Sequence, residues 1–397
     1  IIMQSPAIIR GLTNCTEYQV KLRAVTSCGT SDASESAVLI PTNANEPGVD
    51  WITRPTQTGT GWTSVAYGNG IYVAVGYQGE GNRVMTSPDG INWTSRSSAA
   101  DNSWTSVTYG DGLFVAVSND GLGNRVMTSP DGINWASRVS AADNSWMSVA
   151  YGDGLFVAVS SDGSGNRVMT SPDGINWTSR TSATDNMWYS VTHGNGLFVA
   201  VSYDGNGDRV MTSPDGIDWT LGISAADNYW YSVTYGNGLF VAISYDGTDK
   251  DVMTSPDGFE WTLQNNESGH SFISVTYGNG LFAAAAYDAS GNDIMTSPDG
   301  INWTIQRTDA ANALSGIAYG NGVFVGITSE GPVMTSSYSP AAYAPSIDSV
   351  SINLDSAMVH FNQTLPQFAA AIINYEYSID NGSNWIARSP ASASSPI

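Results

Sequence analysis

Lysine is almost missing from this 397-residue chain, and basic residues as a whole are scarce. The two lysines are Lys21 and Lys250, and 14 Lys and Arg residues stand against 36 Asp and Glu residues, a formal net charge of −22. A surface this acidic repels phosphates, so we expect no nucleic-acid partner. Charged residues make up only 13% of the chain. This neutral-polar composition favours an extracellular or cell-surface protein over a cytosolic enzyme.

Long apolar runs and helical periodicity are also missing. No apolar run reaches the ~18 residues that a membrane span needs, so we expect no membrane insertion. No window shows a sustained apolar period of 3.6 residues, so almost no helix is expected. No signal peptide is visible, so if the protein is secreted, its leader has been removed or lies outside this sequence.

Residues typical of catalysis are the third absence. The chain has three histidines, His193, His270 and His360, and their spacing is not that of metal ligands. Arginines such as Arg83 and Arg125 recur at equivalent repeat positions, whereas catalysis normally breaks such symmetry. Acids are plentiful, but no pair is singled out for glycoside hydrolysis. We therefore predict that the protein is not an enzyme and needs no cofactor, with Ca²⁺ as a possible exception.

Tryptophan, by contrast, recurs every 42 residues in two columns. One column comprises Trp51, Trp93, Trp135, Trp177, Trp219, Trp261 and Trp303, and the other comprises Trp62, Trp104, Trp146, Trp188 and Trp230, then Phe272 and Leu314. In the first repeat, strands are expected at 62–67, 71–75, 83–87 and 91–95, separated by tight turns at Gly-Asn-Gly and Pro-Asp-Gly. A period of ~40–45 residues with four strands predicts a β-propeller blade.

The offset between the two columns predicts how the ring closes. After Leu314 the sequence holds three strand patterns and no fourth. Residues 51–54 are therefore expected to supply the outermost strand of the seventh blade, which removes exposed sheet edges. The sequence predicts an all-β fold whose main part is a seven-bladed β-propeller over residues 44–338.

A Ser-Pro-Asp-Gly turn recurs in six repeats. It spans 87–93 in the first, and its aspartates are Asp89, Asp131, Asp173, Asp215, Asp257 and Asp299. This turn resembles the Asp-box of sialidase-like (BNR) repeats, although Gly follows Asp directly and the motif is one residue shorter. The resemblance implies a structural hairpin distant from any active site, and an Asp side chain suits that role because it hydrogen-bonds its own turn.

The two ends, residues 1–43 and 339–397, are expected to form something else. Residues 8–14, 16–25 and 34–40 resemble the last three strands (E, F and G) of a fibronectin type III domain, and residues 345–353, 357–361 and 373–378 resemble its first strands (A, B and C). The resemblance implies one β-sandwich split between the ends, and neither half is expected to be stable alone. The residues expected to join the halves are Ile8, Ile9, Leu12, Tyr18, Val20, Leu22, Tyr375, Tyr377 and Trp385.

Three arrangements of these halves stay open. They could join within one chain as a circular permutant, although the linkers 42–50 and 337–344 would be taut. They could join between consecutive chains, a contact that does not close and gives a linear polymer. The chain could also be one period of a longer tandem protein. The last two arrangements predict a propeller bead in an extracellular filament or tandem array.

Two cysteines, Cys15 and Cys28, flank the predicted strand F. About ten extended residues separate them by ~33 Å, whereas a disulfide needs Cα atoms within ~7 Å. We expect no bond between them. They are either small, half-buried residues or sites of crosslinks between chains.

The acids fall on the predicted face that carries the loops between blades and those between second and third strands. Because the repeats differ most here, we predict a binding face at Asp101, Asp143, Asp185, Asp227, Asp246 and Asp288. Asp204-Gly-Asn-Gly-Asp208, Asp120 and Asp162 have oxygen-ligand spacing that suits Ca²⁺, without the later Glu of an EF-hand. Solvated turn residues paired with neighbouring arginines are the alternative. A lectin-like module that binds repeated glycans is the second functional hypothesis.

Overall fold

The computed structural model describes residues 51–54, 61–247, 250–264, 269–287, 294–306, 313–329 and 331–336, together with short strands in the terminal segments. The chain divides into two compact units, Pro47–Tyr338 and a second one made of Ile1–Glu46 with Ser339–Ile397. Within the described ranges, no helix is long and apolar enough to cross a membrane.

Seven four-stranded antiparallel sheets form the larger unit, which confirms the predicted seven-bladed propeller. Blades 1–3 comprise Trp62–Gly68, Ile71–Gly76, Val84–Ser87, Thr94–Arg96; Trp104–Gly110, Leu113–Ser118, Val126–Ser129, Ala136–Arg138; and Trp146–Gly152, Leu155–Ser160, Val168–Ser171, Thr178–Arg180. Blades 4 and 5 comprise Trp188–Gly194, Leu197–Ser202, Val210–Ser213, Thr220–Gly222; and Trp230–Gly236, Leu239–Ser244, Val252–Ser255, Thr262–Gln264. Blades 6 and 7 comprise Phe272–Gly278, Leu281–Ala286, Ile294–Ser297, Thr304–Gln306; and Leu314–Gly320, Val323–Thr328, Val333–Ser336, Trp51–Arg54.

The seam between the two ends of the ring lies in blade 7, as the column offset predicts. Trp51–Arg54 pairs antiparallel with Val333–Ser336, with Trp51 opposite Ser336. The seam has a further bond that the other blades lack, because Tyr72 replaces the phenylalanine found at this strand position in blades 2–7. The Tyr72 hydroxyl reaches the backbone carbonyls of Gly320 and Val323 in blade 7. Burial raises the pKa of Tyr72, so this group stays a neutral donor.

The hairpin turns have the backbone expected from their sequence. Asn69 and Gly70 have φ of 47° and 80°, the positive values that an Asn-Gly turn tolerates. The outermost strands begin later than predicted, since blade 1 has Thr94–Arg96 in place of 91–95. The reason is the Asp89 turn, which holds residues 91–93 outside the strand.

The apolar core lies between neighbouring blades. A representative cluster joins Val73 and Val75 of blade 1 to Trp104, Phe114 and Met127 of blade 2, all with no exposed surface. Burial of this kind contributes roughly 25 cal/mol per Å² of apolar surface. The recurring inner tryptophans are therefore packing residues, which agrees with their fixed period.

A ring of serines links the innermost strands. Ser64 Oγ accepts a hydrogen bond of 3.1 Å from the backbone amide of Val107 in the next blade. In the same way, the backbone amide of the following blade donates to Ser106, Ser148, Ser190, Ser232 and Ser274. Blade 7 has Gly316 at this position, so the contact between blades 7 and 1 lacks the serine hydrogen bond. The Tyr72 hydroxyl supplies a different hydrogen bond at that contact, and the Trp51 strand completes blade 7 itself.

The described residues of the terminal unit form eight short strands. They are Tyr18–Val20, Val25–Thr26, Gly29–Thr30, Ala37–Leu39, Ser346–Asn353, Ser356–Asn362, Glu376–Tyr377 and Ile386–Ala387. Tyr18–Val20 pairs antiparallel with Ala37–Leu39, and Ser346–Asn353 pairs with Ser356–Asn362. These pairings are compatible with the proposed F–G and A–B hairpins, and the fibronectin type III assignment stays a prediction. Ile8, Ile9, Leu12, Cys15, Leu22, Cys28, Tyr375 and Trp385 lie outside the described residues.

Candidate functional site

An axial cavity of about 550 Å³ is surrounded by the innermost strands of all seven blades. It opens on the loop face, by which we mean the side carrying the loops between blades and the loops that follow the second strands. Residues at the start of those loops, such as Tyr77 and Asn119, line its mouth. The cavity therefore opens on the side that the sequence predicts for binding.

Tyrosines break the sevenfold repeat at this mouth. At the second position of the innermost strand, blades 4 and 5 have Tyr189 and Tyr231, where blades 2 and 3 have Thr105 and Met147. At the start of the following loop, blades 4–6 have tyrosine where blade 3 has serine. We call the resulting group the tyrosine cluster: Tyr189, Tyr203, Tyr229, Tyr231, Tyr245 and Tyr287. It gathers aromatic surface on one side of the cavity mouth.

The rings of the cluster contact one another in a continuous series. Tyr203 stacks on Tyr229 with centroids 4.5 Å apart and planes within 10°. Tyr189 lies 5.2 Å from Tyr203 and 5.0 Å from Tyr231. Tyr245 then lies 6.0 Å from both Tyr231 and Tyr287. These distances are typical of favourable aromatic pairs, so the neighbouring rings hold each other in place.

The cluster is half-open to solvent and uncharged. Tyr229 and Tyr287 expose 43% and 42% of their surface. Burial, followed by the neighbouring Tyr189 and Tyr245 rings, raises the pKa of Tyr231 to about 12. Burial also raises the pKa of Tyr189, with smaller contributions from Tyr203 and the Asp204 carboxylate. At neutral pH these phenols are protonated and present ring faces together with O–H donors.

The rest of the cavity wall is neutral, with hydroxyl groups beside apolar residues such as Met147 and Ile273. Its described lining residues include serines of the ring, such as Ser148 and Ser232, but no His, Cys, Lys, Arg, Asp or Glu. A serine hydroxyl that accepts a backbone hydrogen bond keeps its own proton to donate. The arrangement can bind a ligand by stacking and hydrogen bonding, and the described wall presents no general base or metal ligand.

The predicted acids hold the loop face together. Asp101 Oδ1 accepts a 2.6 Å hydrogen bond from the Gly81 amide and lies 3.8 Å from Arg83 Nε. The same pairing recurs for Asp143, Asp185 and Asp227, each with the corresponding loop amide and arginine. The expected ion pairs are confirmed. These four carboxylates tie each interblade loop to the preceding second–third loop.

A second set of acids binds the backbone of the same loops. Asp120 accepts hydrogen bonds from the Ser103 amide and hydroxyl, and Asp162 does the same with Ser145. Asp204 accepts from the Met187 amide, and Asp246 from the Tyr229 amide at 2.7 Å. Asp208 accepts from Asn206 and Asn186, and Asp288 lies outside the described residues.

No group of three or more His, Cys, Asp or Glu side chains suited to a metal ion is present in the described part of the chain. Three of the four proposed Ca²⁺ ligands, Asp120, Asp162 and Asp204, instead accept hydrogen bonds from the interblade loop that precedes their blade, and Asp208 accepts one from Asn206 in its own loop. This geometry gives them a structural role, and Ca²⁺ binding stays a prediction.

On the opposite side, the Ser-Pro-Asp-Gly turns are structural, as expected. Asp89 Oδ1 accepts hydrogen bonds of 2.8 Å from the amides of Ile91 and Asn92, and the Trp93 indole donates to Gly90 O. In blade 6, burial would raise the pKa of the equivalent Asp299, but hydrogen bonds from Asn302, Ile301 and Ser297 lower it to about 2. Hydrogen bonds within the turn thus stabilise the Asp299 carboxylate in its charged form.

His193 and His270 make separate contacts in the propeller. His193 lies opposite the cavity mouth, at the position of Tyr151 and Tyr235 in neighbouring blades, and its Nε2 is 3.1 Å from Asp153. His270 contacts Phe272 edge-on, and His360 lies in a strand of the terminal unit.

A search for the pattern that the repeats share does not find the tyrosine cluster. Comparing the repeats position by position would have revealed it, since only blades 4 and 5 have tyrosine at the position of Tyr189 and Tyr231. Three successive blades have tyrosine at the position of Tyr203, Tyr245 and Tyr287, which Tyr77 shares in blade 1. The sequence does not show that these positions meet at one cavity.

Comparison with known proteins supports the fold alone. No protein-family model and no curated protein matches the sequence. Among solved structures, YCF48 from Cyanidioschyzon merolae is 16% identical with a TM-score of 0.55, covering 72% of this chain and 98% of that one. YCF48 bound to D1 peptide is 16% identical with a TM-score of 0.56, over 75% and 99%. Virginiamycin B lyase from Staphylococcus aureus is 13% identical with a TM-score of 0.61, over 73% and 99%.

Proposed function

We propose that this protein is a non-catalytic binding propeller that holds an extended peptide segment of a partner protein at the mouth of its axial cavity. The observation that carries the proposal is the tyrosine cluster, because blades 4–6 bring contacting tyrosine rings together at the mouth. Tyrosine supplies large, rigid contact area with a hydroxyl at its edge, which suits recognition of a partner.

Two further observations support a peptide ligand. The cavity of about 550 Å³ falls within the ~300–1,000 Å³ of typical ligand sites. A structural neighbour, YCF48, has been solved bound to a peptide, so a propeller of this architecture accommodates one. The neutral, hydroxyl-rich wall supports binding over catalysis.

Selection from a phage-displayed library of random 12-residue peptides tests the proposal on the full chain. We expect enriched peptides whose affinity falls at least about tenfold in the Tyr189→Ala/Tyr231→Ala double variant, since interface aromatics are common hot spots. Met147→Ala is the matched control, because Met147 occupies the same strand position in blade 3. Failure to enrich any peptide, or equal binding by the tyrosine and methionine variants, would contradict the proposal.

A second proposal concerns the terminal segments, which we propose to mediate self-association into a linear polymer or tandem array outside the cell or at its surface. Both segments fall in one compact unit, which supports their completing each other. The same pairing is available between two chains as within one, since each half would leave a sheet edge to be covered. The scarcity of lysine and the neutral-polar composition support the location.

Size-exclusion chromatography of the full chain distinguishes pairing of the terminal segments between chains from pairing within one chain. Exchange between chains predicts polymers whose size grows with protein concentration. Deleting residues 1–43 is expected to abolish assembly while leaving the propeller folded, as judged by its near-ultraviolet circular dichroism. A strict monomer at all concentrations would contradict self-association and favour the permutant, and polymers that survive the deletion would contradict strand exchange.

A further inference from the structure

We propose that the tyrosine cluster recognises a cationic side chain, arginine or lysine, on the bound peptide. This inference rests on the proposed peptide-binding function and names the chemistry of its anchor. It follows from the ring faces, the surrounding charge and the position of one arginine of the protein itself.

Aromatic faces are the first element of the site. The electron-rich face of a tyrosine ring attracts a cation placed within about 6 Å of its centroid. Tyr231, Tyr245 and Tyr287 follow one another at 6.0 Å spacings along the mouth. Tyr287 is 42% exposed, and all three line the cavity. A long, flexible basic side chain entering the mouth therefore passes several ring faces.

Negative charge beside the rings is the second element. Asp204 and Asp246 directly follow Tyr203 and Tyr245 in the sequence, and they accept hydrogen bonds from the backbone amides of Met187 and Tyr229. A neutral amide donor leaves the charge of a carboxylate in place. The Asp204 and Asp246 carboxylates act on the neighbouring phenols, since they contribute to raising the pKa values of Tyr189 and Tyr203 respectively.

Four arginines of the loop face are already paired with aspartates. Arg83, Arg125, Arg167 and Arg209 each lie within 3.8 Å of an aspartate of the first set. The described cavity wall contains no basic side chain, and the whole chain carries a formal charge of −22. Electrostatic complementarity of this kind steers cations to the mouth and rejects anions such as acidic peptides.

Arg209 shows the same recognition within the protein. Its guanidinium carbon lies 5.8 Å from the centroid of the Tyr229 ring, which in turn stacks on Tyr203. Its Nη1 donates to the carbonyls of Tyr203 and Asn228, both at 2.8 Å. The outer end of the cluster thus already holds a guanidinium on an aromatic face, and the cavity end offers equivalent faces to a guanidinium of the partner.

Fluorescence anisotropy with four labelled Gly-Ser peptides, identical except for three central Arg, Lys, Gln or Glu residues, tests the inference on the full chain. We expect the Arg and Lys peptides to bind at least about fivefold more tightly than the Gln peptide, and the Glu peptide most weakly. Raising the salt concentration should reduce the Arg and Lys affinities more than the Gln affinity.

Single substitutions in the tyrosine cluster test whether its rings bind the cationic side chain. Tyr231→Ala and Tyr245→Ala should reduce Arg-peptide affinity to the level of the Gln peptide. Tyr231→Phe should retain most of it, because the ring face and not the hydroxyl binds the cation. Met147→Ala is the control, and thermal unfolding followed by circular dichroism verifies that each variant is folded.

Several results would overturn the inference. Equal binding of Gln and Arg peptides, or no binding of any peptide, would do so, as would Arg binding that the tyrosine variants leave unchanged, since that indicates unspecific attraction to an acidic surface. Tighter, tyrosine-dependent binding of a neutral hexasaccharide would assign the site to glycans. If the phage selection still yields tyrosine-dependent peptides without basic residues, peptide binding stands and only the cationic anchor is wrong.

Discussion

Trp51→Ala is expected to lower the free energy of unfolding of the propeller by about 3–5 kcal/mol. Trp51 is 8% exposed and packs with Leu314, Ile317 and Met334 of blade 7 and Ile294 of blade 6. Its strand comes from the N-terminal side of the propeller and completes the last sheet. The substitution removes a large buried side chain from the strand that completes blade 7. Guanidinium denaturation of the full chain, followed by near-ultraviolet circular dichroism, measures the effect.

Ile52→Ala is the matched control for this prediction. Ile52 belongs to the same strand but exposes 42% of its surface, so its truncation should cost less than about 0.5 kcal/mol. Equal denaturation midpoints for the Trp51→Ala and Ile52→Ala variants would show that the Trp51 side chain does not hold the ring closed. A change confined to Trp51→Ala would show that closure depends on the buried side chain.

Gly110→Ala is expected to destabilise the propeller by about 3 kcal/mol, near the upper end of the usual range for overpacking. A Cβ on Gly110 would lie closer than 3.0 Å to the Tyr151 ring of the next blade. Its backbone is an ordinary strand, paired with Leu113, so the cost comes from the clash and not from dihedral strain. The same glycine–aromatic contact recurs around the ring at Gly68, Gly152, Gly194, Gly236, Gly278 and Gly320.

A double-mutant cycle separates this clash from other effects. Adding Tyr151→Ala removes the ring that the new methyl group meets, so the double variant should lose less stability than the sum of the single variants. Gly112→Ala is the backbone control, because Gly112 has φ +75° and no atom within 4 Å of an added Cβ. It should cost about 1 kcal/mol from strain alone. Additive behaviour of Gly110→Ala and Tyr151→Ala would contradict the clash.

Local chemistry explains why much of the fold is predictable from the sequence. Asn69-Gly70 encodes its turn because both residues tolerate positive φ. The Ser-Pro-Asp-Gly turns likewise contain all their hydrogen-bond partners within a few residues, as Asp89 does with Ile91 and Asn92. The prediction is least accurate where a side chain competes with the strand, and the Asp89 turn delays the outermost strand to Thr94.

The candidate site is less predictable because its parts come from different blades. Ion pairs between the acids and arginine were an alternative to the predicted binding face, and the structure contains them, as with Asp101 and Arg83. Their equal spacing, however, favoured several equivalent binding grooves over one site. The structure instead concentrates aromatic surface where three blades depart from the repeat, at residues such as Tyr189, Tyr231 and Tyr245.

By itself, the sequence determined the number of blades, the order of their strands and the strand that closes the ring, because each depends on a period or an offset along the chain. The tertiary structure alone decided which departures from that period matter. Tyr203 and Tyr245 are separated by a full repeat, yet both lie against Tyr231 or its neighbour Tyr189 at one cavity mouth. Closing the sheet into a ring brings equivalent positions of successive blades together around one axis, and that proximity turns scattered substitutions into a single site.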